Sequence, residues 1–253
     1  LVIFTGDNTI CDSKSKLRVA LDTMVSYIEE LKIPWCHVYG NHDHEGGLSK
    51  IEQQEVYESY EYCVSKKGLD LFGVGNYVLP IYKFNGEEII NLIWCLDSNS
   101  YLSDDDSSKI EDPILLYPEY PVSPYDYIHK EQIDWYKNTS IKIEETYKRK
   151  IYSLMAFHIP LQESAYAWDN REEMEEYSGS KNEPVAASLI NSGLFNVLVE
   201  RKDVLAVVNG HEHINDFMVK YQGIKLCYSP NVSNLTYHDT NIMGGRVFVF
   251  DEN

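Results

Sequence analysis

Long hydrophobic runs are missing from this chain: no stretch reaches the roughly 18 apolar residues that a membrane-spanning helix requires, and its apolar segments stop at strand length. A soluble chain with no membrane partner is therefore expected. Basic residues are scarce, with 22 Lys and Arg against 40 Asp and Glu and a formal net charge of −18. A field of that sign repels nucleic acid and anionic lipid, so no nucleic-acid partner is expected either. Cysteine is sparse and scattered. Cys11, Cys36, Cys63, Cys95 and Cys227 include no close pair of the kind that builds a zinc clip or a redox motif, and are read as free. A leading Met and a signal peptide are absent too, because Leu1-Val2-Ile3-Phe4 already reads as a core strand. The sequence is expected to open inside a domain. Three Asn-x-Ser/Thr triplets, at Asn138, Asn231 and Asn234, matter only in a secretory compartment. What is present is ordinary for a globular protein: 253 residues, 43% hydrophobic and 25% charged, enough for a sizeable core in one large domain or two small ones.

Along the chain, Leu1 to Thr5 reads as a buried strand that delivers Gly6-Asp7-Asn8 to a loop. Apolar residues at Leu17, Ala20, Leu21, Met24, Val25, Ile28 and Leu31 then predict a helix that Pro34 ends. Trp35 to Tyr39 is a second strand, running into Gly40-Asn41-His42-Asp43-His44-Glu45. Ser49 to Lys67 predicts another helix, and Asn76 to Phe84 with Glu88 to Leu96 a β-hairpin through Asn85-Gly86. Asn99 to Tyr127, with Asp104-Asp105-Asp106 and four prolines, reads as a long surface loop over a functional edge. A helix from Ile128 to Lys150 leads to a strand, Ile151 to Phe157, that ends at His158. Glu163 to Pro184 reads as irregular and Val185 to Arg201 as helical. Val204 to Val208 is a strand ending at Asn209-Gly210-His211-Glu212-His213, and Phe217 to Tyr221, Ile224 to Tyr228 and Arg246 to Phe250 complete the strand set. Strands alternating with helices early and dominating late predict a β-sandwich flanked by helices.

Four separate strands thus end in loops bearing Asp7, Asn41 with His42, His158, and His211 with His213. Taken singly, each has a structural reading: Asp7 as a helix cap, His158 as a satisfied buried histidine, His211 and His213 as alternating strand positions. Together they lie at strand carboxyl ends, where loops share one edge of a sheet and ligands bind. Imidazole with carboxylate and amide oxygen suits Zn, Fe or Mn, whereas calcium or magnesium would take oxygen alone. Two such ions about 3.5–4 Å apart clamp an in-line phosphoryl displacement, which makes phosphoester hydrolysis the natural reaction.

Gly6-Asp7-Asn8, Gly40-Asn41-His42-Asp43, His158 after its apolar strand and Gly210-His211-Glu212-His213, in that order, resemble the motifs of the calcineurin-like metallophosphoesterases. Leu96-Asp97-Ser98, Phe157-His158-Ile159-Pro160, Asn191-Ser192-Gly193 and His213-Ile214-Asn215-Asp216-Phe217 resemble the purple acid phosphatase-like branch. The resemblance implies an α/β fold, a four-layer α-β-β-α sandwich of two mixed sheets flanked by helices, and one domain over residues 1–253. It also implies two divalent or trivalent ions (Fe, Zn or Mn) and a phosphorylated small molecule or phosphoprotein as substrate. Asp7 would bridge the ions, Asn41, His158 and His211 would complete one site, and His213 would belong to the other. A metal-bound hydroxide would attack phosphorus in line while His42 stabilises the phosphoryl oxygens or protonates the leaving group. Asn8, Asp43, His44, Glu45, Asp97, Tyr101 and His238 are candidates to orient ligands or touch substrate.

Two departures from the family pattern stand out. An Asp-x-His strand loop that supplies two ligands to the second metal is missing, and is expected upstream of Leu1. Three residues after Asp7, family members place an Asp that pairs with the catalytic His or a Tyr that binds ferric iron, and Ile10 does neither. His42 therefore needs another orienting partner or acts without one. These departures motivate the rival reading, a catalytically incomplete pseudophosphatase or binding module that keeps the fold and at most one metal.

Overall fold

The computed structural model describes residues 1–84, 86–103 and 122–251. Its first unit is β1 (Val2–Phe4), α1 (Lys14–Glu30) and β2 (Trp35–His37), with β1 and β2 parallel in the register Val2↔Trp35, Ile3↔Cys36 and Phe4↔His37. Parallel neighbours need a crossover, and α1 supplies it while burying Leu17, Leu21 and Val25. Next comes α2 (Lys50–Tyr57), begun by a capping box in which the Ser49 side chain accepts from the Glu52 N–H and the Glu52 carboxylate from the Ser49 N–H.

The remaining strands are β3 (Tyr77–Tyr82), β4 (Ile89–Cys95), β5 (Val122–Ser123), β6 (Tyr152–Ala156), β7 (Tyr177–Ser178), β8 (Ala187–Ser188), β9 (Val204–Asn209), β10 (Met218–Tyr221) and β11 (Ile224–Tyr228). Among the described residues, three α-helices accompany them: α3 (Lys130–Tyr147), α4 (Gln162–Asp169) and α5 (Leu194–Arg201). Seven strands form one mixed sheet in the order β3-β4-β6-β9-β11-β10-β7, while β5 pairs with β8 in a separate two-stranded piece. The centre, β4-β6-β9-β11, is parallel and the flanking strands are antiparallel.

The central strands are buried on both faces and their side chains alternate between two cores, as a pleat of period two requires. Leu92 and Trp94 of β4, Met155 of β6, Val207 of β9 and Leu226 of β11 pack with Ile133 and Tyr136 of α3, Trp168 of α4 and Phe195 of α5. Ile93, Cys95, Leu154, Ala156, Ala206, Val208 and Cys227 point the other way, onto Ile3 and Cys36 of the β1-β2 pair. That pair in turn covers α1 and α2 through Trp35, Leu17, Leu21, Val25 and Tyr57. The layers therefore run helices, small parallel sheet, large mixed sheet, helices. Burying each of these large side chains contributes about 1.5–3 kcal/mol before chain entropy is charged against it.

Four sequence-based elements differ from the structure. The helix expected to reach Lys67 stops at Tyr57, because the chain must return beside β2: Trp35 N donates to Tyr62 O (2.9 Å) and Val64 N to Trp35 O (2.8 Å). The segment expected to be irregular from Glu163 contains α4. The helix expected from Val185 begins only at Leu194, since Ala187 and Ser188 pair with β5. Arg246 to Phe250 is not a strand, although its alternation is real: Phe248 and Phe250 pack on the core between the sheets while Val247 and Val249 are exposed. Asp104-Asp105-Asp106 and Asn85 lie outside the described residues. Among the described residues no helix is long and apolar enough to cross a membrane.

Candidate metal centre

Three loops close on one point. Asp7 follows β1, His158 follows β6 and His211 follows β9, and one ligand atom from each lies within 4.8 Å of the others. His158 Nε2 is 3.0 Å from Asp7 Oδ2 and 3.2 Å from His211 Nδ1. Glycine makes the approach possible. A Cβ on Gly40 would sit 2.1 Å from Asp7 Oδ1, and one on Gly6 (φ +96°) would sit 2.4 Å from His158 Nδ1. Asp7 and His211 themselves take left-handed backbone, with φ of 52° and 78°. Non-glycine residues are uncommon there and hold such positions where surrounding structure over-determines them.

Asp43 provides that constraint. Its buried carboxylate accepts four backbone N–H bonds: Oδ2 from Asp7 (3.0 Å) and Gly40 (2.7 Å), Oδ1 from Asn8 (2.8 Å) and Thr9 (3.0 Å). Burial and the neighbouring Asp7 charge push its pKa up to about 6, against the pull of those N–H donors. Asp43 thus laces the β1 loop to the β2 loop, and Gln53 Nε2 holds the Asp43 carbonyl in turn (2.5 Å). Asn8 serves the same lacing, its Nδ2 donating to Val38 O (3.0 Å).

The electrostatics of the three candidate ligands are coupled. Burial works to raise the Asp7 pKa, but the charge and hydrogen bond of His158 with the His42 N–H outweigh it and hold the carboxylate well below its ordinary range. Burial works to lower His158, and Asp7 more than offsets it, so His158 is raised. Burial and the adjacent His158 bring His211 down to about 3. His158 Nδ1 lies 2.7 Å from the Thr5 carbonyl, which can only accept, so that nitrogen carries a proton and Nε2 faces Asp7 and His211. A backbone carbonyl that fixes the tautomer in this way is the usual outer partner of a metal-ligating histidine. Asn41 fits the same chemistry: its Nδ2 donates to Tyr101 Oη (2.9 Å), while its buried Oδ1 has no hydrogen-bond partner among the described residues. The donor set of one carboxylate and two imidazoles suits a transition-metal ion.

His42 is tied to this cluster through its backbone. Its N–H donates to Asp7 Oδ1 (2.9 Å), and its Nδ1 is 2.8 Å from Glu45 Oε2. Tyr101 donates its hydroxyl to Glu45 Oε1 (3.2 Å), and its ring lies 5.4 Å from that of Tyr125, which meets the His211 ring edge-on at 4.5 Å. Ile10 is 63% exposed.

The other sequence-based candidates are placed elsewhere. His213 stands apart from the three-residue cluster, its Nδ1 bonded to Tyr237 O (3.0 Å) and its ring stacked on Tyr237 at 4.2 Å. Asp97 is buried in an ion pair with Lys50 (2.9 Å) and accepts the Val74 N–H (2.9 Å). His44 is exposed beside Ser100 (3.4 Å), and His238 Nδ1 lies 2.8 Å from Thr236 O within its own turn. Sequence reasoning missed the Thr5 carbonyl and Tyr125, and also Glu183, whose carboxylate accepts from Tyr237 Oη (3.0 Å) and Ile214 N (2.9 Å) and so pins the His213 loop.

A sequence model of the calcineurin-like phosphoesterases matches residues 1–215. The chain belongs to the calcineurin-like phosphoesterase family. Two Arabidopsis thaliana proteins of this family's purple acid phosphatase-like branch, named probable inactive purple acid phosphatases 14 and 29, are each 30% identical to it, over 96% and 100% of the chain. The chain spans 60% and 64% of the length of those relatives. A Saccharomyces cerevisiae protein named as a phosphatase is 30% identical over 90% of the chain and 39% of its own length. Among solved structures, a dimetal phosphatase from Danio rerio shares the fold, with a TM-score of 0.51 at 15% identity over 86% of this chain and 67% of that one.

Proposed function

We propose that this phosphoesterase-family chain is a metal-dependent phosphomonoesterase. The observation that carries the reading is the convergence of Asp7, His158 and His211 on one point, with His42 hydrogen-bonded through its backbone to Asp7. Asp7, Asn41, His158 and His211 would hold one ion, and His213 would take part in a second. Metal ions bound there supply Lewis-acid polarisation of the phosphoryl oxygens and a template for in-line displacement. The protein's own contribution is placement. The Thr5 carbonyl presents His158 Nε2, the Asp43 carboxylate fixes the two loops, and His42 would offer an imidazole N–H to a phosphoryl or leaving oxygen. Tyr125 packs against His211 and Tyr101 against Tyr125.

The rival reading, a fold that binds at most one ion without turnover, draws on His213 standing apart from the cluster and on the names of the two Arabidopsis relatives. One experiment decides between them. Metal content by elemental analysis is measured beside hydrolysis of p-nitrophenyl phosphate with Mn, Zn or Fe supplied. Bound metal with turnover that Asp7→Asn abolishes supports the enzyme; metal at one equivalent or less with no turnover in any of the three ions supports the rival.

A further inference from the structure

The geometry points to Glu45 as the positioning residue for His42, a reading that rests on the phosphomonoesterase function proposed above. Glu45 Oε2 lies 2.8 Å from His42 Nδ1, and the two residues are also tied by backbone, Glu45 N donating to His42 O at 3.0 Å. An i, i+3 pair on a surface turn is often incidental. Here the carboxylate is itself held, because Tyr101 donates to its other oxygen at 3.2 Å and the same Tyr101 oxygen accepts from Asn41 Nδ2 at 2.9 Å. Glu45 therefore has its rotamer set by the loop that carries Asn41, and it passes that order to His42. A carboxylate can only accept from an imidazole, so Nδ1 carries a proton and Nε2 is the atom left to face a substrate. The arrangement follows the logic of any carboxylate that fixes the tautomer and rotation of a working histidine.

In the reaction this serves, water oxygen bonds to phosphorus, and the ester P–O bond breaks with its electron pair left on the leaving oxygen. That oxygen takes the proton from His42 Nε2 and departs as an alcohol. The proton released by the attacking water restores the imidazolium. A leaving oxygen of low basicity, such as p-nitrophenolate, scarcely needs the proton; an alkoxide depends on it. Misplacing Nε2 therefore harms alkyl esters selectively, whereas general damage to the loop harms every ester alike.

The test uses the full chain and its Glu45→Ala and Glu45→Gln variants. Long-range 1H–15N correlation spectra, recorded where the His42 ring is neutral, report its tautomer without any need for turnover, and His42→Ala assigns its signals. Nδ1–H is expected in the parent and in Glu45→Gln, which keeps an acceptor oxygen, and is lost to a tautomer mixture in Glu45→Ala. With metal supplied, Glu45→Ala is expected to lower kcat on glycerol 2-phosphate at least about tenfold further than kcat on p-nitrophenyl phosphate, with KM held and Glu45→Gln restoring most of the difference. An unchanged tautomer in Glu45→Ala, or equal losses on both esters, overturns the proposal. A parent chain that hydrolyses neither ester while Glu45→Ala still loses the Nδ1–H signal overturns the phosphomonoesterase reading and leaves the positioning by Glu45 upheld.

Discussion

The Thr5 carbonyl accepts a hydrogen bond from His158 Nδ1 at 2.7 Å, across 153 positions of sequence, and this bond fixes which nitrogen of His158 meets the cluster. Nε2 faces Asp7 and His211 with no rotation left to pay for when an ion binds. His158→Ala should accordingly weaken Mn or Zn binding to the chain by about a hundredfold or more, read by isothermal titration calorimetry, because a ligand and its ordered geometry are lost together. Chelation of the parent should lower its melting temperature, and His158→Ala should show no such drop. Equal affinity in parent and variant would place the ion elsewhere.

Asp43 supports a second prediction, about stability. Its carboxylate faces four N–H donors, so Asp43→Asn turns an NH2 group toward donors it cannot satisfy. A loss of about 2–4 kcal/mol in urea denaturation is expected, the sum of a buried unsatisfied group and two broken bonds. Metal affinity should fall with it, since Asp7 takes its backbone position from the same carboxylate. A variant as stable as the parent would mean that the lacing of the two loops is redundant.

Much of this site was legible in the sequence, because each of its loops follows an apolar run cut short by polar residues, at Gly6-Asp7, Gly40-Asn41, His158 and Gly210-His211. The layers were legible for the same reason: central strands buried on both faces read as continuous apolar segments. What escaped has physical causes. The Thr5 contribution is a backbone carbonyl, which no side chain announces. Tyr125 is one of twenty tyrosines and gains meaning only beside His211. The helix α4 buries Gln162 and Glu163, satisfied by Ser188 O and Asn191 Nδ2, so its inner face does not read as apolar. Arg246 to Phe250 shows true alternation, but period two specifies which side chains face inward and leaves the backbone partner unspecified.

Close approach at Gly40 gives a third prediction. A methyl group there would overlap Asp7 Oδ1 at 2.1 Å and the Asp7 nitrogen at 2.4 Å. Neither atom can yield without breaking the bonds from Asp7 N to Asp43 and from His42 N to Asp7 Oδ1. Gly40→Ala should cost about 1–3 kcal/mol in chemical denaturation and abolish metal retention on a desalting column. Retention equal to that of the parent would show that the β1 loop has another seat.

The fourth prediction concerns acid stability and a residue that is not part of the metal cluster. His37 is buried, stacked on Tyr57 at 3.6 Å, with Ser65 Oγ 2.8 Å from Nδ1 and no partner for Nε2 among the described residues. Burial brings its pKa from the ordinary 6.5 down to about 3, so the native ring stays neutral where the unfolded ring is charged. Between those two values the unfolded state binds more protons than the native state, and stability must fall as pH falls, by up to about 1.4 kcal/mol per pH unit from this group alone. Above pH 6.5 both states hold the ring neutral, and the contribution is complete. His37→Phe keeps a flat ring against Tyr57 and removes the titration. Its urea-unfolding free energy, measured from pH 7.5 to pH 4.5, should start lower than the parent's because the Ser65 contact is gone. It should then decline less steeply below pH 6.5, so that the two curves converge. Parallel curves over that range would mean that His37 does not switch between charged and neutral on folding, and that the acid sensitivity of the chain resides in its carboxylates.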